Sequence, residues 1–174
     1  MGPVVAAVSL SVLPVAVVSL ALFVVLMVIT LVGPVRGRKA AWVMFFLQLI
    51  GLLILTMGGD SPGASGIPNL TPGATIHPQL TNPYYPLGVV NVVGNIAMFI
   101  PFGWLLALLL PRWRVIVPTM LGFALSISIE IVQTLTNRVG DIDDVILNGL
   151  GAFLGAVLGA LVISLTPGWH RGRT

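Results

Sequence analysis

Long apolar stretches dominate the sequence, and every charged residue but one lies outside them. A helix needs about 20 apolar residues to cross the hydrocarbon core of a bilayer. The sequence therefore predicts an all-α membrane protein, a bundle of about five transmembrane helices. The predicted helices are Val4–Val32, Ala40–Met57, Leu87–Leu110, Val115–Leu135 and Val145–Leu165.

Composition narrows the class of protein further. The chain is 57% hydrophobic and only 7% charged, whereas soluble domains average about 25% charged residues. Such a chain has too little polar surface to cover a globule, so its solvent must be lipid. Cysteine is absent, which excludes disulfides, thiolate nucleophiles and cysteine-based metal sites. The net charge of +3 is small and dispersed, so we expect no nucleic-acid partner.

The positive charges predict how the helices are oriented. Seven of the eight Lys and Arg residues lie in the first loop, the third loop and the C-terminal tail. Because cytoplasmic loops collect Lys and Arg, the predicted topology is N-out/C-in. No Lys or Arg precedes the first stretch, which favours a retained helix over a cleaved signal peptide.

This topology divides the chain into three parts. Residues 1–86 would form two transmembrane helices and an extracytoplasmic loop, residues 87–166 a three-helix core, and residues 167–174 a basic cytoplasmic tail. The loop, about Gly58–Pro86, is rich in Gly, Pro, Ser, Thr and Asn, which favour turns. It is either a flexible connector or a cap over the outer face.

Glu130 is the only acidic residue inside an apolar stretch. Burying a carboxylate in a membrane helix costs about 2.5–3.5 kcal/mol on insertion scales, so it should have a partner or a task. Four of the five acidic residues of the chain lie between positions 130 and 144. This segment is therefore the place to search for a functional site.

Three predicted helices carry polar residues three or four positions apart, which places them on one face of each helix. With a rise of about 1.5 Å per residue, these residues fall in the outer half of the bilayer. Unpaired polar groups are costly there, so the faces should turn toward one another and form an outward-facing polar pocket. The candidate binding residues are Asn91, Asn95, Ser126, Glu130, Gln133, Arg138, Asp141, Asp143, Asp144 and Asn148.

Two interpretations of this pocket remain open. In the structural one, the polar residues satisfy each other, Arg138 pairs with Asp141 or Asp144, and an aspartate caps the last helix. In the functional one, the pocket receives a polar headgroup or an ion.

A glycine stripe at Gly151, Gly155 and Gly159 would let two helices approach closely. The approach could lie within one chain or form a homodimer seam.

The combination of these motifs resembles the VanZ-like family. The resemblance rests on the run from Asn95 to Gly103, on Ser126, Glu130 and Gln133, and on the spaced residues from Arg138 to Gly155. It extends from about Asn91 to Leu161, and the first 86 residues carry no family motif. Family members are small bacterial integral membrane proteins, and the namesake is associated with low-level resistance to the glycopeptide antibiotic teicoplanin. The resemblance implies a multi-pass protein of the bacterial plasma membrane, but no reaction.

The leading functional hypothesis is a non-catalytic membrane protein without a cofactor. Its pocket would bind an envelope lipid headgroup, a lipid-linked wall precursor or a lipophilic glycopeptide, with Arg138 contacting a phosphate or carboxylate. Membrane lipids would be its partners.

Two alternative hypotheses place the protein in other functional classes, an enzyme and a scaffold. A metal-assisted enzyme acting on a lipid phosphate would use Asp141, Asp143 and Asp144 as Mg²⁺ ligands and Glu130 as base. The sequence shows no activated Ser, Cys or His nucleophile, which weighs against an enzyme. A membrane scaffold would instead pack as a homo-oligomer through the glycine stripe.

Because the natural chain lacks cysteine, its orientation can be tested with single introduced thiols. In Arg138→Cys and Asp141→Cys, we expect a membrane-impermeant maleimide to label intact cells, since both positions should face outward. Labelling only after the cells are broken would contradict the predicted topology.

Overall fold

The protein is described by a computed structural model over residues 28, 34–57, 67–82, 84, 88–110 and 112–165. Every regular element among these residues is a helix, and four of the helices are long and apolar enough to cross a membrane. The predicted all-helical membrane bundle is therefore confirmed. The helices are α1 (Pro34–Met57), α2 (Ile76–Thr81), α3 (Gly88–Leu109), α4 (Ile116–Leu135) and α5 (Ile142–Leu165).

The predicted helix boundaries need small corrections. The long helices α1, α3, α4 and α5 match four predicted stretches, although α1 begins at Pro34 and α5 at Ile142. The earlier start of α5 places Asp143 and Asp144 in its first turn, where negative charge favours a helix N-terminus. The predicted helix Val4–Val32 lies outside the described residues except for Val28, which is helical.

Helix α3 forms the centre of the bundle. All residues from Pro101 to Leu109 are buried, although Pro101 lies inside the helix. The aromatic rings of Phe99 and Phe102 lie 6.0 Å apart, and Phe102 also lies 5.5 Å from Phe45 of α1. The main apolar core draws on all four long helices and contains Leu52, Phe99, Phe102, Leu106, Ile129 and Ala152.

Glycines let the α3 and α5 backbones come into direct contact. A Cβ atom on Gly155 would overlap the carbonyl oxygen of Ile100, and one on Gly151 would overlap that of Ile96. At Gly159 the same atom would lie 2.9 Å from the Trp104 carbonyl oxygen. The predicted glycine stripe thus packs within the chain, and α3 occupies the surface that a homodimer seam would need.

Residues 67–82 fold over one end of the bundle rather than forming a featureless connector. They contain the short helix α2, which packs beside the start of α3. The approach is close, because a Cβ on Gly88 would overlap the backbone of Gln79. We call residues 67–82 the cap segment.

The glycine contact predicts a contrast between two helical glycines. Gly155→Ala should lower the free energy of unfolding by about 1–3 kcal/mol, since overpacking forces α3 and α5 apart. Gly94→Ala is the matched control, because a Cβ there meets nothing within 4 Å. It should be neutral or stabilise by up to about 1 kcal/mol. Equal unfolding midpoints for both variants in detergent would contradict this packing.

Candidate functional site

Asp143 anchors the cap segment to the first turn of α5. Its carboxylate accepts hydrogen bonds from the backbone N–H groups of Gly73 (2.6 Å), Thr75 (2.8 Å) and Ile76 (3.0 Å). The side chain is only 1% exposed. An ionised carboxylate can only accept, so three converging N–H donors match its chemistry. Asp143 therefore belongs to the framework of the site and does not face an open pocket.

Asp141 makes the second attachment. It forms an isolated parallel bridge with Asn69, in which the Asn69 N–H donates to Gly140 O (2.8 Å) and the Ile142 N–H donates to Asn69 O (3.0 Å). The Asp141 carboxylate also accepts from Asn69 Nδ2 (3.3 Å) and from the Thr75 hydroxyl. We call Asn69, Thr75, Asp141 and Asp143 the latch.

Two members of the latch, Asn69 and Thr75, were not among the candidate residues of the sequence analysis. Asn69 also accepts a hydrogen bond from the Thr71 N–H (3.2 Å) on its own side-chain oxygen, as asparagines in turns often do. The neighbouring Pro72 and Gly73 signal a turn, and Gly73 adopts a φ of +83° that favours glycine. Nothing in the sequence, however, pairs Asn69 with a residue 72 positions away.

Glu130, the acidic residue within the apolar stretch, has a backbone partner. Its Oε2 atom accepts a hydrogen bond of 2.6 Å from the Asp141 N–H. The Thr134 hydroxyl donates to the backbone carbonyl oxygen of Glu130, one turn earlier in α4 (2.9 Å). Glu130 thus fixes the connection between α4 and α5 immediately before α5 begins.

The polar faces of α3, α4 and α5 turn toward one another in part. Asn95 Nδ2 of α3 donates to Asp144 Oδ1 of α5 (2.5 Å), and Asn148 Nδ2 of α5 donates to Ser126 Oγ of α4 (2.9 Å). Asn148 Oδ1 is buried without a hydrogen-bond partner among the described residues. Asn91, one turn before Asn95, is exposed, so this member of the predicted face does not share the buried contact.

Arg138 and Gln133 close the end of α1. The Thr56 carbonyl oxygen accepts from Arg138 Nη1 (2.8 Å) and from Gln133 Nε2 (2.9 Å). The last carbonyl groups of a helix lack intrahelical donors, so both side chains satisfy a group that would otherwise be unpaired. The expected pairing of Arg138 with Asp141 or Asp144 is wrong, because its guanidinium donates to α1 instead.

A groove of about 310 Å³ opens between α4, the start of α5 and the cap segment. Two carboxylates, Glu130 and Asp141, lie among its otherwise mostly apolar lining. The α4 side chains Ile127, Ile131 and Leu135 form one wall at a spacing of four residues. The complete lining is Pro68, Leu70, Ile127, Glu130, Ile131, Thr134, Leu135, Gly140, Asp141, Ile142 and Val145.

The arrangement differs from the predicted polar pocket. Most of the candidate residues are hydrogen-bonded to other parts of the chain, which supports the structural interpretation of the polar network. The open space beside them is largely apolar. Among the described residues, no group of three or more His, Asp or Glu side chains is arranged to hold a metal ion.

The chain matches the model of a known protein family. The family model described as VanZ/LLP1 matches residues 20–163, which include both the latch and the groove. The match begins well before Asn91, so it includes much of the first 86 residues, in which the sequence analysis identified no family motif. No curated protein and no solved structure matches the chain.

The contact between Asn95 and Asp144 can be measured with a double-mutant cycle. Asn95→Ala, Asp144→Ala and the double variant should give a coupling energy of about 0.6–1.7 kcal/mol, between the average and the maximum measured for hydrogen bonds between membrane helices. The exposed Asn91 is the matched control, and Asn91→Ala should show no coupling to Asp144→Ala. Equal coupling for both asparagines would contradict the observed packing.

Proposed function

We propose that this chain, which belongs to the VanZ/LLP1 family, is a binding protein for an envelope amphiphile in the bacterial plasma membrane. The groove would hold the apolar chain of the ligand, and the carboxylates beside it would receive the polar head. We further propose that the chain crosses the membrane several times and binds this ligand without catalysing a reaction.

The observation that carries this proposal is the composition of the groove. Its volume of about 310 Å³ is at the lower end of the range for small-molecule sites, which is about 300–1,000 Å³. Ile127 and Ile131, on the outer surface of α4, are 46% and 55% exposed. Because α4 is long and apolar enough to cross a membrane, the molecules that reach this wall from the side are lipid chains.

The polar atoms of the groove favour a ligand head that donates hydrogen bonds. Glu130 and Asp141 are the charged residues of a lining whose exposed surface is almost wholly apolar, and Arg138, which donates to the Thr56 carbonyl oxygen, does not line the groove. Amine or hydroxyl groups suit these carboxylates better than phosphate does. An amine-headed lipid, a lipid-linked wall precursor and a lipophilic glycopeptide share an apolar chain and such donors, so the experiment must separate these sources.

The alternative of a metal-assisted enzyme has weaker support. Asp143, one of the three expected metal ligands, directs both carboxylate oxygens toward backbone N–H donors of the cap segment. Asp144 faces Asn95 of α3. The aspartates thus point toward different partners, and the geometry favours a binding protein.

Filling the groove should prevent ligand binding. We expect Ile131→Trp to reduce photolabelling by phosphatidylethanolamine with a diazirine in its acyl chain about tenfold, since the larger ring occupies the chain site. Met120→Trp is the matched control, because Met120 lies on the same helix, is 56% exposed where Ile131 is 55% exposed, and does not line the groove. Equal labelling of the two variants and the natural chain would contradict the proposal.

Competition identifies the ligand source. Unlabelled phosphatidylethanolamine, phosphatidylglycerol, undecaprenyl phosphate and teicoplanin are each added to the natural chain before illumination. A competitor with an amine should protect Ile131 from labelling more strongly than phosphatidylglycerol or undecaprenyl phosphate. Equal protection by all of these would contradict the preference for a donor head.

A further inference from the structure

We propose that the cap segment is a detachable wall of the groove, and that Asp143 positions it, so that docking of the segment and ligand binding are coupled. This inference rests on the proposed function and adds its regulation. Asp143 does not line the groove, so it would act on the ligand only through the segment.

The groove is incomplete without the cap segment. Pro68 and Leu70 supply the wall that faces α4 and the start of α5. Both residues precede the part of the segment that Asp143 holds, and the Asn69–Asp141 bridge lies between them. Release of the segment would therefore remove one side of the chain site while leaving α4 and α5 in place.

Polar contacts hold this wall in position. None of the residues of α2 is buried, and Leu70 and Leu80 are 71% and 51% exposed. The segment thus buries little apolar surface against the bundle, apart from the close approach of Gln79 to Gly88. Elements with few buried apolar contacts belong to the low-stability end of a structure and open locally.

Asp143 accepts more hydrogen bonds from the cap segment than any other single side chain. Its carboxylate receives the N–H groups of Gly73, Thr75 and Ile76 together, so one side chain orders the turn and the start of α2. Its neighbour Asp144 points elsewhere, to Asn95 of α3. The chain therefore provides two adjacent aspartates, of which only one holds the cap segment.

Coupling follows from the shared wall. A ligand that touches both Leu70 and α4 binds the docked form more tightly than the open form. By linkage, the ligand then stabilises docking by the same factor by which docking strengthens binding. If Asp143 only supported the fold, docking of the cap segment would not depend on whether ligand is bound.

Hydrogen exchange measures docking directly. The backbone amides of Gly73, Thr75 and Ile76 donate to Asp143, so their exchange rates report whether the latch is closed. In Asp143→Asn, we expect these amides to exchange on the order of tenfold faster, because charge-assisted acceptors are lost. In Asp144→Asn, the matched control, they should exchange as in the natural chain.

Ligand dependence supplies the second readout. The full chain is placed in phosphatidylcholine nanodiscs with or without phosphatidylethanolamine. In the natural chain, phosphatidylethanolamine should slow exchange at the three amides several-fold, and in Asp143→Asn its photolabelling should fall by a similar factor. Thr75→Val removes the hydroxyl bond to Asp141 and the bond that this hydroxyl accepts from Asn69, but leaves Asp143 intact. It should speed exchange at the same amides by a smaller factor, and it serves as the test variant if Asp143→Asn fails to fold.

The outcomes separate the two proposals. Unchanged exchange in both Asp143→Asn and Thr75→Val would overturn the inference, even if the natural chain is labelled normally. Exchange rates that do not change when phosphatidylethanolamine is added, although the natural chain is strongly photolabelled, would also overturn it. Absence of labelling in the natural chain by any probe would instead overturn the proposed function.

Discussion

Direct backbone contact between α3 and α5 is the constraint on which the other interactions depend. Glycine at positions 151 and 155 lets α5 approach the α3 carbonyl groups, where any side chain would overlap them. This approach places Asp144 within hydrogen-bond distance of Asn95. It also fixes the first turn of α5, from which Asp143 reaches the cap segment. A wider helix separation would weaken the polar network and the attachment of the cap together.

The acidic residues near this contact act mainly as acceptors for the chain itself. In a membrane, each buried polar group needs an internal partner, and most of these residues find one in a backbone amide or a side-chain amide. Glu130, for example, receives the Asp141 N–H. For function, the consequence is that the open part of the site is apolar. The carboxylates that border it are already held in place by hydrogen bonds within the chain.

Part of this site could be predicted from residue spacing alone. The repeat of three and four residues on each helix identified Asn95, Ser126 and Asn148 as inward-facing, and their contacts confirm it. Spacing could not predict the partner of Arg138, because the Thr56 carbonyl belongs to a distant helix and backbone acceptors occur at every residue. Spacing also failed to predict the exposure of Asn91, because Asn91 lies on the same helical face as Asn95.

The sequence by itself determined that this is a bundle of membrane helices, because the length and apolar composition of the stretches leave no other way to satisfy the backbone in lipid. It also determined the close helix packing, since glycines four residues apart leave a smooth helix surface. Only the tertiary structure decided that residues 67–82 cap the bundle and that a groove opens beside Glu130. Both depend on hydrogen bonds from the cap segment to Asp141 and Asp143, and hydrogen bonds across so many residues have no periodic signature in a sequence.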